Sequence, residues 1–450
     1  MSAATQGKGV GARLVQAAAL LVVLGVLLLA MQIAPETRSV VGTVAGLGVL
    51  LLAGTLMSEL LEVLRLPHIS GYLAAGFICG PYVLHLVDAE TVHRLQPVNG
   101  LTVALISLAG GAELKVDLVR RTARSVLVAT LVQSPLVFFV VGAAFLALAP
   151  YTPFADLPPR AIFAVAVLWA ILAVSRSPTA LLGIFSQLRP KGPLAEFSLA
   201  FVMFSNLVVI VMMAVGIALV RPLLDSDASL SLSNLGLLGR ELLGSATLGI
   251  TLGIALAVYL RLVGQNLLLV LLVLGVGVSE LLRYIQLDAM LAFLVAGFVV
   301  ENFSAQGPKL LKAIENTGAV VYVIFFALAG AHLDLPALKM FYPVALTLCL
   351  VRCVATWGAA VGGSWFARDQ PVVRRWGWSG LVAQAGLALG LSTVVVRAFP
   401  SVGIEFQTMA IAVIAINEVI GPMVFKLGLD RAGESRSGDE PDAPPSSTRN

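Results

Sequence analysis

The chain has 450 residues, of which 58% are hydrophobic and only 12% are charged, and its mean hydropathy is +0.95. The charged fraction is about half that of an average soluble protein. Apolar runs near the roughly 20 residues needed to cross a bilayer recur along almost the whole length. The composition therefore predicts a polytopic α-helical membrane protein in contact with lipid. The long runs without alternation exclude a β-barrel.

The predicted fold is all-α, with about 13–14 transmembrane helices when runs of about 18 or more apolar residues are counted. The predicted spans are 13–33, 40–64, 69–87, 98–113, 124–149, 160–186, 194–220, 238–260, 265–282, 287–302, 313–331, 340–366, 376–398 and 404–427. We expect an N-terminal tail with an extra helix at 1–39, a transmembrane domain at 40–429 and a disordered cytoplasmic tail at 430–450.

Lysine and arginine are unevenly divided between the predicted loops. With the N-terminus inside, the cytoplasmic segments hold most of the positive charge, which supports an even number of spans. Both termini are then cytoplasmic, and we expect a multi-pass protein of the inner or plasma membrane. The net charge of +4 reflects this topology and gives no evidence of nucleic-acid binding.

One predicted span is interrupted by polar residues at bilayer depth. The interruption is Ser175-Arg176-Ser177-Pro178-Thr179, and Ser205-Asn206 lies about one helix later in another apolar stretch. Polar groups at this depth are costly unless they line a buried or hydrated site. Secondary transporters build binding sites at the membrane midplane from helices of this kind.

Two parts of the chain, 124–220 and 340–427, look like copies of one unit. In each, an uninterrupted helix leads to an interrupted helix and then to a helix with a polar pair in mid-membrane. The second copy has its interruption at Gln384-Ala385-Gly386 and its polar pair at Asn417-Glu418. Each helix of the second unit comes an odd number of spans after its counterpart in the first, so the two enter the membrane from opposite sides. The two units are therefore predicted to form an inverted repeat.

An ordered set of motifs resembles the cation:proton antiporter superfamily, specifically the bacterial sodium/proton and potassium/proton exchangers. The motifs are LPHISGYLAAG at 66–76 with Gly80-Pro81, LAGGAEL at 108–114, Ser177-Pro178-Thr179-Ala180, FFALAG at 325–330 with Leu333-Asp334-Leu335, and Gly421-Pro422. The resemblance implies the sodium/proton antiporter-like fold with crossed discontinuous helices. In that fold 124–220 and 340–427 are the core repeats, and the remainder of 40–429 serves for dimerisation and as scaffold. The resemblance also implies a homodimer that exchanges Na⁺ or K⁺ for protons by alternating access, without a cofactor.

The expected ion site departs from the family pattern. Related exchangers carry a titratable aspartate where this chain has Ser205-Asn206, and a small or hydroxyl residue where it has Arg176. Asn and Ser coordinate a cation through neutral oxygens but carry no proton at physiological pH. If a monovalent cation binds here, its ligands are Ser177, Ser205 and Asn206, and the proton must be carried by another residue. Arg176 would repel a cation bound at this place, so the ordinary mechanism of the family is not implied.

Polar residues near the predicted membrane centre are the candidates for the transport site. They are Arg176, Ser177, Thr179, Ser205, Asn206, Arg352, Asn417 and Glu418. Glu418 either carries the proton or forms a salt bridge with Arg352 or Arg176. Arg352 either holds the core helices together through an ion pair or contacts the substrate. Arg176 either clamps an anion, replaces a bound cation electrostatically, or extends to water.

Three functions stay open on the sequence alone. The first is monovalent cation/proton antiport with altered site chemistry. The second is exchange of an organic anion recognised by Arg176. The third is a membrane-embedded enzyme or binding protein that keeps the fold without transport, although the sequence contains no nucleophile motif, metal cluster or phosphate-binding loop. A transporter is favoured over an enzyme.

Overall fold

A computed structural model describes residues 21–23, 25–26, 40–64, 66–224, 233–264, 267–285, 287–333 and 335–435. Helices dominate this part of the chain, and no strand occurs within it. They are α1 (Val40–Val63), α2 (His68–Cys79), α3 (Ala89–Arg94), α4 (Gln96–Glu113), α5 (Val116–Leu148), α6 (Pro159–Val174), α7 (Pro178–Leu188), α8 (Pro193–Leu224), α9 (Ser233–Leu262), α10 (Leu267–Val273), α11 (Ser279–Tyr284), α12 (Ala289–Phe303), α13 (Gly307–Ala331), α14 (Leu335–Ala367), α15 (Pro371–Trp376), α16 (Gly386–Ala398) and α17 (Pro400–Ala432).

Each predicted span from residue 40 onward overlaps a helix or an interrupted helix, but the predicted span 69–87 is too long, because α2 ends at Cys79. Seven helices in the described ranges are long and apolar enough to cross a membrane, or eight if one bent pair is a single span. Shorter apolar helices lie at His68–Cys79, Ala289–Phe303 and Val320–Ala331. The chain is therefore a multi-pass membrane protein. The predicted span 13–33 lies largely outside the described residues, as does the tail beyond 435.

The first interruption separates α6 from α7. Pro178 disfavours helical backbone at the residue before it, and Ser177 is extended, with φ −101° and ψ 105°. Pro178 also occupies the first turn of α7, where a missing N–H is tolerated. The hydroxyl of Ser177 accepts a hydrogen bond from the backbone N–H of Ala180 at 3.1 Å and caps the new helix. A few local residues thus stop one helix and start another.

The second interruption lies between a 3₁₀ segment, Gly377–Leu381, and α16. The helical axis bends by 49° across it, and Ala385, with φ −158° and ψ −130°, precedes α16. The backbone N–H of Ser177 donates to the carbonyl oxygen of Ala383 at 3.0 Å. The two discontinuous helices therefore meet at their interruptions, as the predicted fold requires.

Two other helix pairs approach closely through glycines. A Cβ at Gly76 would overlap the carbonyl oxygen of Ala327, and a Cβ at Gly330 would overlap the backbone of α2. The pair α2 and α13 therefore packs through reciprocal glycines. Helices α4 and α12 do the same through Gly111 and Gly297. Small residues allow such backbone contact between membrane helices, which explains the glycines in the motifs.

The interrupted helix α6–α7 is the most enclosed of the long candidate spans. Within the apolar window of Pro159–Leu188, 83% of residues are buried, against 28% for Arg120–Tyr151. Its polar interruption is consequently buried, with Ser175, Arg176 and Ser177 each at most 2% exposed. This is the environment in which irregular backbone at membrane depth is tolerated.

Candidate transport site

Arg352 on α14 binds the helix ends at both interruptions. Its side chain is 2% exposed. At the end of α6, Nε donates to the carbonyl oxygen of Ala173 and Nη2 to that of Ser175, both at 2.8 Å. At the end of the 3₁₀ segment, Nη1 donates to Val382 at 2.7 Å and Nη2 to Leu381 at 3.3 Å. The last carbonyls of a helix lack internal donors and carry partial negative charge, so one guanidinium stabilises both ends.

An amide network links the second interruption to α17. Gln384 Nε2 donates to the hydroxyl of Ser175 at 3.1 Å, and Asn417 Nδ2 donates to Gln384 Oε1 at 2.9 Å. Asn417 Oδ1 accepts hydrogen bonds from Cys349 Sγ at 3.0 Å and from Arg352 Nη1 at 3.5 Å. The oxygen and nitrogen of both amides thus have partners. Asn417 holds the interruptions in place rather than presenting a vacant ligand.

Glu418, the next residue on α17, has no such partners. Its side chain is 3% exposed and forms no hydrogen bond or ion pair with any residue that the structure describes. The predicted salt bridge to Arg352 or Arg176 is therefore not formed. Pro422 lies four residues later inside the helix and has no N–H to donate to the Glu418 carbonyl.

The position of Glu418 can be related to the start of α7. The rings of Phe425 and Phe185 stack with centroids 6.3 Å apart. Phe425 lies about two turns after Glu418 on the same face of α17, and Phe185 about two turns after Pro178. The C-terminal ends of both helices lie together, because the backbone N–H of Lys191, three residues after α7, donates to the carbonyl oxygen of Glu434 at 3.3 Å. Glu418 is consequently level with the N-terminus of α7, where helix dipoles favour negative charge.

Asn206 on α8 is another buried side chain without hydrogen-bond partners among the described residues. It is 8% exposed, and neither Oδ1 nor Nδ2 has a hydrogen bond. Its neighbour Ser205 donates to the carbonyl oxygen of Val202 at 3.1 Å. One and two turns after Asn206, Ile210 and Met213 line a cavity of about 490 Å³. Asn206 therefore lies on the same face of α8 as these two residues of the cavity wall.

The cavity reaches the N-terminal ends of both half-helices. Pro178 and Thr179 of α7 and Gly386 of α16 form part of its wall, and α4, α11 and α12 line the opposite side. The hydroxyls of Thr179 and Ser177 are 3.0 Å apart. Of the predicted residues, Thr179 lines this cavity, Ser177 contacts Thr179, and Asn206 and Glu418 do not line it.

Arg176 points toward α5 and α8. Its Nη1 donates to the carbonyl oxygen of Val174 at 2.7 Å and its Nη2 to Gln133 Oε1 at 3.1 Å. The guanidinium carbon lies 4.8 Å from the centroid of the Phe201 ring. Arg176 is 2% exposed and its Nε has no acceptor. Its burial argues against extension to water.

Several positioning residues were absent from the predicted set. Gln133 and Gln384 are mid-membrane amides, a signal present in the sequence. Glu434 had no such signal. Its carboxylate accepts hydrogen bonds from the backbone N–H groups of Leu194 at 2.9 Å and Ala195 at 2.8 Å. It thereby caps α8, the helix that carries Asn206, from a position after the last helix.

This arrangement of helices agrees with one protein family. The family profile described as sodium/hydrogen exchanger, transmembrane, matches residues 47–427. The chain belongs to the sodium/hydrogen exchanger family. Its predicted membership of the cation:proton antiporter superfamily is confirmed.

Two solved structures share the fold of this sodium/hydrogen exchanger family member. The sodium proton antiporter MjNhaP1 from Methanocaldococcus jannaschii at pH 8 is 17% identical, with a TM-score of 0.61 over 87% of this chain and 96% of that chain. An electron-microscopy structure of the same antiporter is 18% identical, with a TM-score of 0.64 over 88% and 97% of the two chains. No curated protein sequence matches significantly. The sodium/proton antiporter-like fold is confirmed.

Proposed function

We propose that this protein exchanges Na⁺ or K⁺ for protons by alternating access, as a homodimer in the cell membrane with both termini in the cytoplasm. Membership of the sodium/hydrogen exchanger family supports cation/proton antiport. Two buried side chains carry the proposal: Asn206, whose amide atoms have no hydrogen-bond partner, and Glu418, which forms no hydrogen bond or ion pair with a described residue. Each is the second residue of the polar pair in its unit. Buried polar groups normally have partners, so these two are suited to bind substrates.

In this proposal Glu418 carries the proton and Asn206 contributes a neutral oxygen to the cation. An isolated ionised carboxylate is expensive to bury, so Glu418 keeps a proton until water or a cation reaches it. A cation nearby favours the ionised carboxylate, and its departure favours the protonated form. The hydroxyls of Ser177 and Thr179 are further neutral oxygens beside the cavity. In this way the cation and the proton compete for the Glu418 carboxylate.

The cavity supports alternating access because two groups of helices form its walls. Helices α7, α8 and α16 bear the interruptions or Asn206, while α4 and α12 belong to a glycine-packed pair. Movement of one group against the other would close this cavity and open a path on the opposite membrane face. A cation or proton bound where the two interrupted helices meet would then be released on the other side of the membrane.

Proton flux into proteoliposomes, followed with a pH-sensitive dye, tests the proposal. An imposed proton gradient is challenged in turn with sodium, potassium and lithium. We expect cation-dependent dissipation by the wild-type protein and its loss in Glu418→Gln, because an amide carries no proton. Glu405→Gln is the matched control, since Glu405 is an exposed glutamate on the same helix. An unchanged rate in folded Glu418→Gln would refute the assignment of the proton carrier.

The organic-anion alternative has less support. The Arg176 guanidinium is buried against Val174, Gln133 and Phe201, which leaves no room beside it for a ligand as large as an organic anion without rearrangement of these side chains. The alternative of a protein without transport activity is tested by the same assay. Absence of flux with every cation, from folded protein, would favour one of these alternatives over antiport.

A further inference from the structure

The two buried arginines of the core differ in how their N–H groups are satisfied. Arg352 donates to four backbone carbonyls and to Asn417. Arg176 donates to one carbonyl and one amide oxygen, and its Nε has no acceptor. Arg176 forms no ion pair with a described carboxylate. Arg352 is a second positive charge nearby, because it binds the carbonyls of Ala173 and Ser175 on either side of the Val174 carbonyl that Arg176 binds. A buried charge in this condition requires compensation.

Gln133 also has a buried N–H group without an acceptor. It is 0% exposed, and its Oε1 accepts the hydrogen bond from Arg176 Nη2 at 3.1 Å. Its Nε2 has no acceptor. Two side chains joined by a hydrogen bond thus each retain an unpaired donor, beside an uncompensated positive charge. Donors alone cannot satisfy one another, so the missing group is an acceptor, and a negatively charged one serves both needs.

We propose that Arg176 and Gln133 bind a small inorganic anion such as chloride. Both side chains are buried, and neither lines the 490 Å³ cavity, which favours an ion of this size over an organic acid. Phe201, which lies under the Arg176 guanidinium, is about one turn before Ser205 on α8. The anion therefore cancels a charge that would otherwise repel a cation at Asn206. This last consequence rests on the proposed function.

Bromide replacement gives a direct test of binding. We expect crystals of the full chain grown in bromide to show an anomalous peak next to Arg176 Nε and Gln133 Nε2. We also expect a higher unfolding temperature in chloride or bromide than in gluconate, because a ligand that binds the folded state stabilises it. Water alone at both nitrogens, with equal unfolding temperatures in the three salts, would overturn the inference.

The variant Gln133→Glu separates charge compensation from general damage to the fold. The new carboxylate has nearly the same shape as the amide and supplies an internal partner for Arg176. We expect it to abolish the bromide peak and the halide-dependent rise in unfolding temperature. Gln407→Glu is the matched control, because Gln407 donates to Thr393 on α16 at 2.9 Å and should leave both signals intact. A bromide peak that persists in Gln133→Glu contradicts the proposed site.

Transport assays connect the anion to cation exchange. Replacing chloride by gluconate on both sides should weaken the apparent cation affinity of the wild-type protein about tenfold, and Gln133→Glu should lose this dependence. Equal affinity in both salts, together with no bromide peak, would refute the anion site while leaving antiport intact. A bromide peak with no cation-dependent flux in either salt would support the anion site and refute the proposed function.

Discussion

Removal of the Arg352 side chain should destabilise the protein more than loss of any surface arginine. The substitution Arg352→Met keeps an apolar stem of similar length but removes all five N–H donors. Four of these donors bind backbone carbonyls at the ends of two different helices. These carbonyls are buried where the two interrupted helices meet, and Arg352 is the described side chain that binds all four of them.

The magnitude follows from those carbonyls. A buried polar group without a partner costs about 1–3 kcal/mol. At the lower end of that range, four carbonyls cost about 4 kcal/mol, which agrees with the ~3–5 kcal/mol expected when one partner of a buried charged interaction is removed. Arg352→Lys keeps the charge but offers three donors for five acceptors, so its cost should be smaller, about 1–2 kcal/mol.

The free energy of unfolding can be measured by SDS titration of purified protein in bicelles. We expect the order wild type, Arg352→Lys, Arg352→Met, from most to least stable. Arg160→Gln removes an exposed arginine at the start of α6 and should lie within about 0.5 kcal/mol of wild type. If Arg352→Met unfolds within about 1 kcal/mol of wild type, the guanidinium does not stabilise the two helix ends and the interpretation of the crossing is wrong.

Two further substitutions test how the core and scaffold helices are held. Glu434→Ala removes the acceptors of two N–H groups at the start of α8, so the same titration should show a loss of about 1–2 kcal/mol, with a smaller loss in Glu434→Gln. Gly76→Ala forces a methyl group into the carbonyl of Ala327 and should cost about 1–3 kcal/mol. Gly358→Ala meets open space and should be neutral or stabilising, so equal effects of the two glycine substitutions would contradict the packing argument.

The features that local sequence encodes were predictable. Pro178 and Ser177 fix the first interruption within a few residues, because one restricts the preceding backbone and the other caps the next helix. The glycines at 76 and 330 belong to motifs that carry the family resemblance, and the structure shows that both allow close helix packing. Apolar runs of sufficient length located the spans from residue 40 onward. Each of these signals depends on neighbours in sequence.

The partners of Arg352 could not be predicted in the same way. A buried arginine suggests a carboxylate, yet its acceptors are backbone carbonyls 179 and 30 residues away in the chain. Every residue has a carbonyl, so no side-chain pattern marks these as partners. The cap that Glu434 forms on α8 could not be predicted for the same reason. The groups that donate to the Glu434 carboxylate are backbone N–H groups 240 and 239 residues away in the chain.

The distribution of charge explains how an exchanger-type fold can accommodate a neutral pair on α8. Arg352 compensates the negative ends of two helices, whereas Arg176 has a surplus of donors. Glu418 is level with the positive end of α7, on the unit opposite Asn206. A proton on Glu418 and an anion at Arg176 would leave both positions neutral while the cation site is unoccupied. In the proposed mechanism, cation entry would displace only the proton on Glu418, and exchange would be coupled through a carboxylate on the other unit.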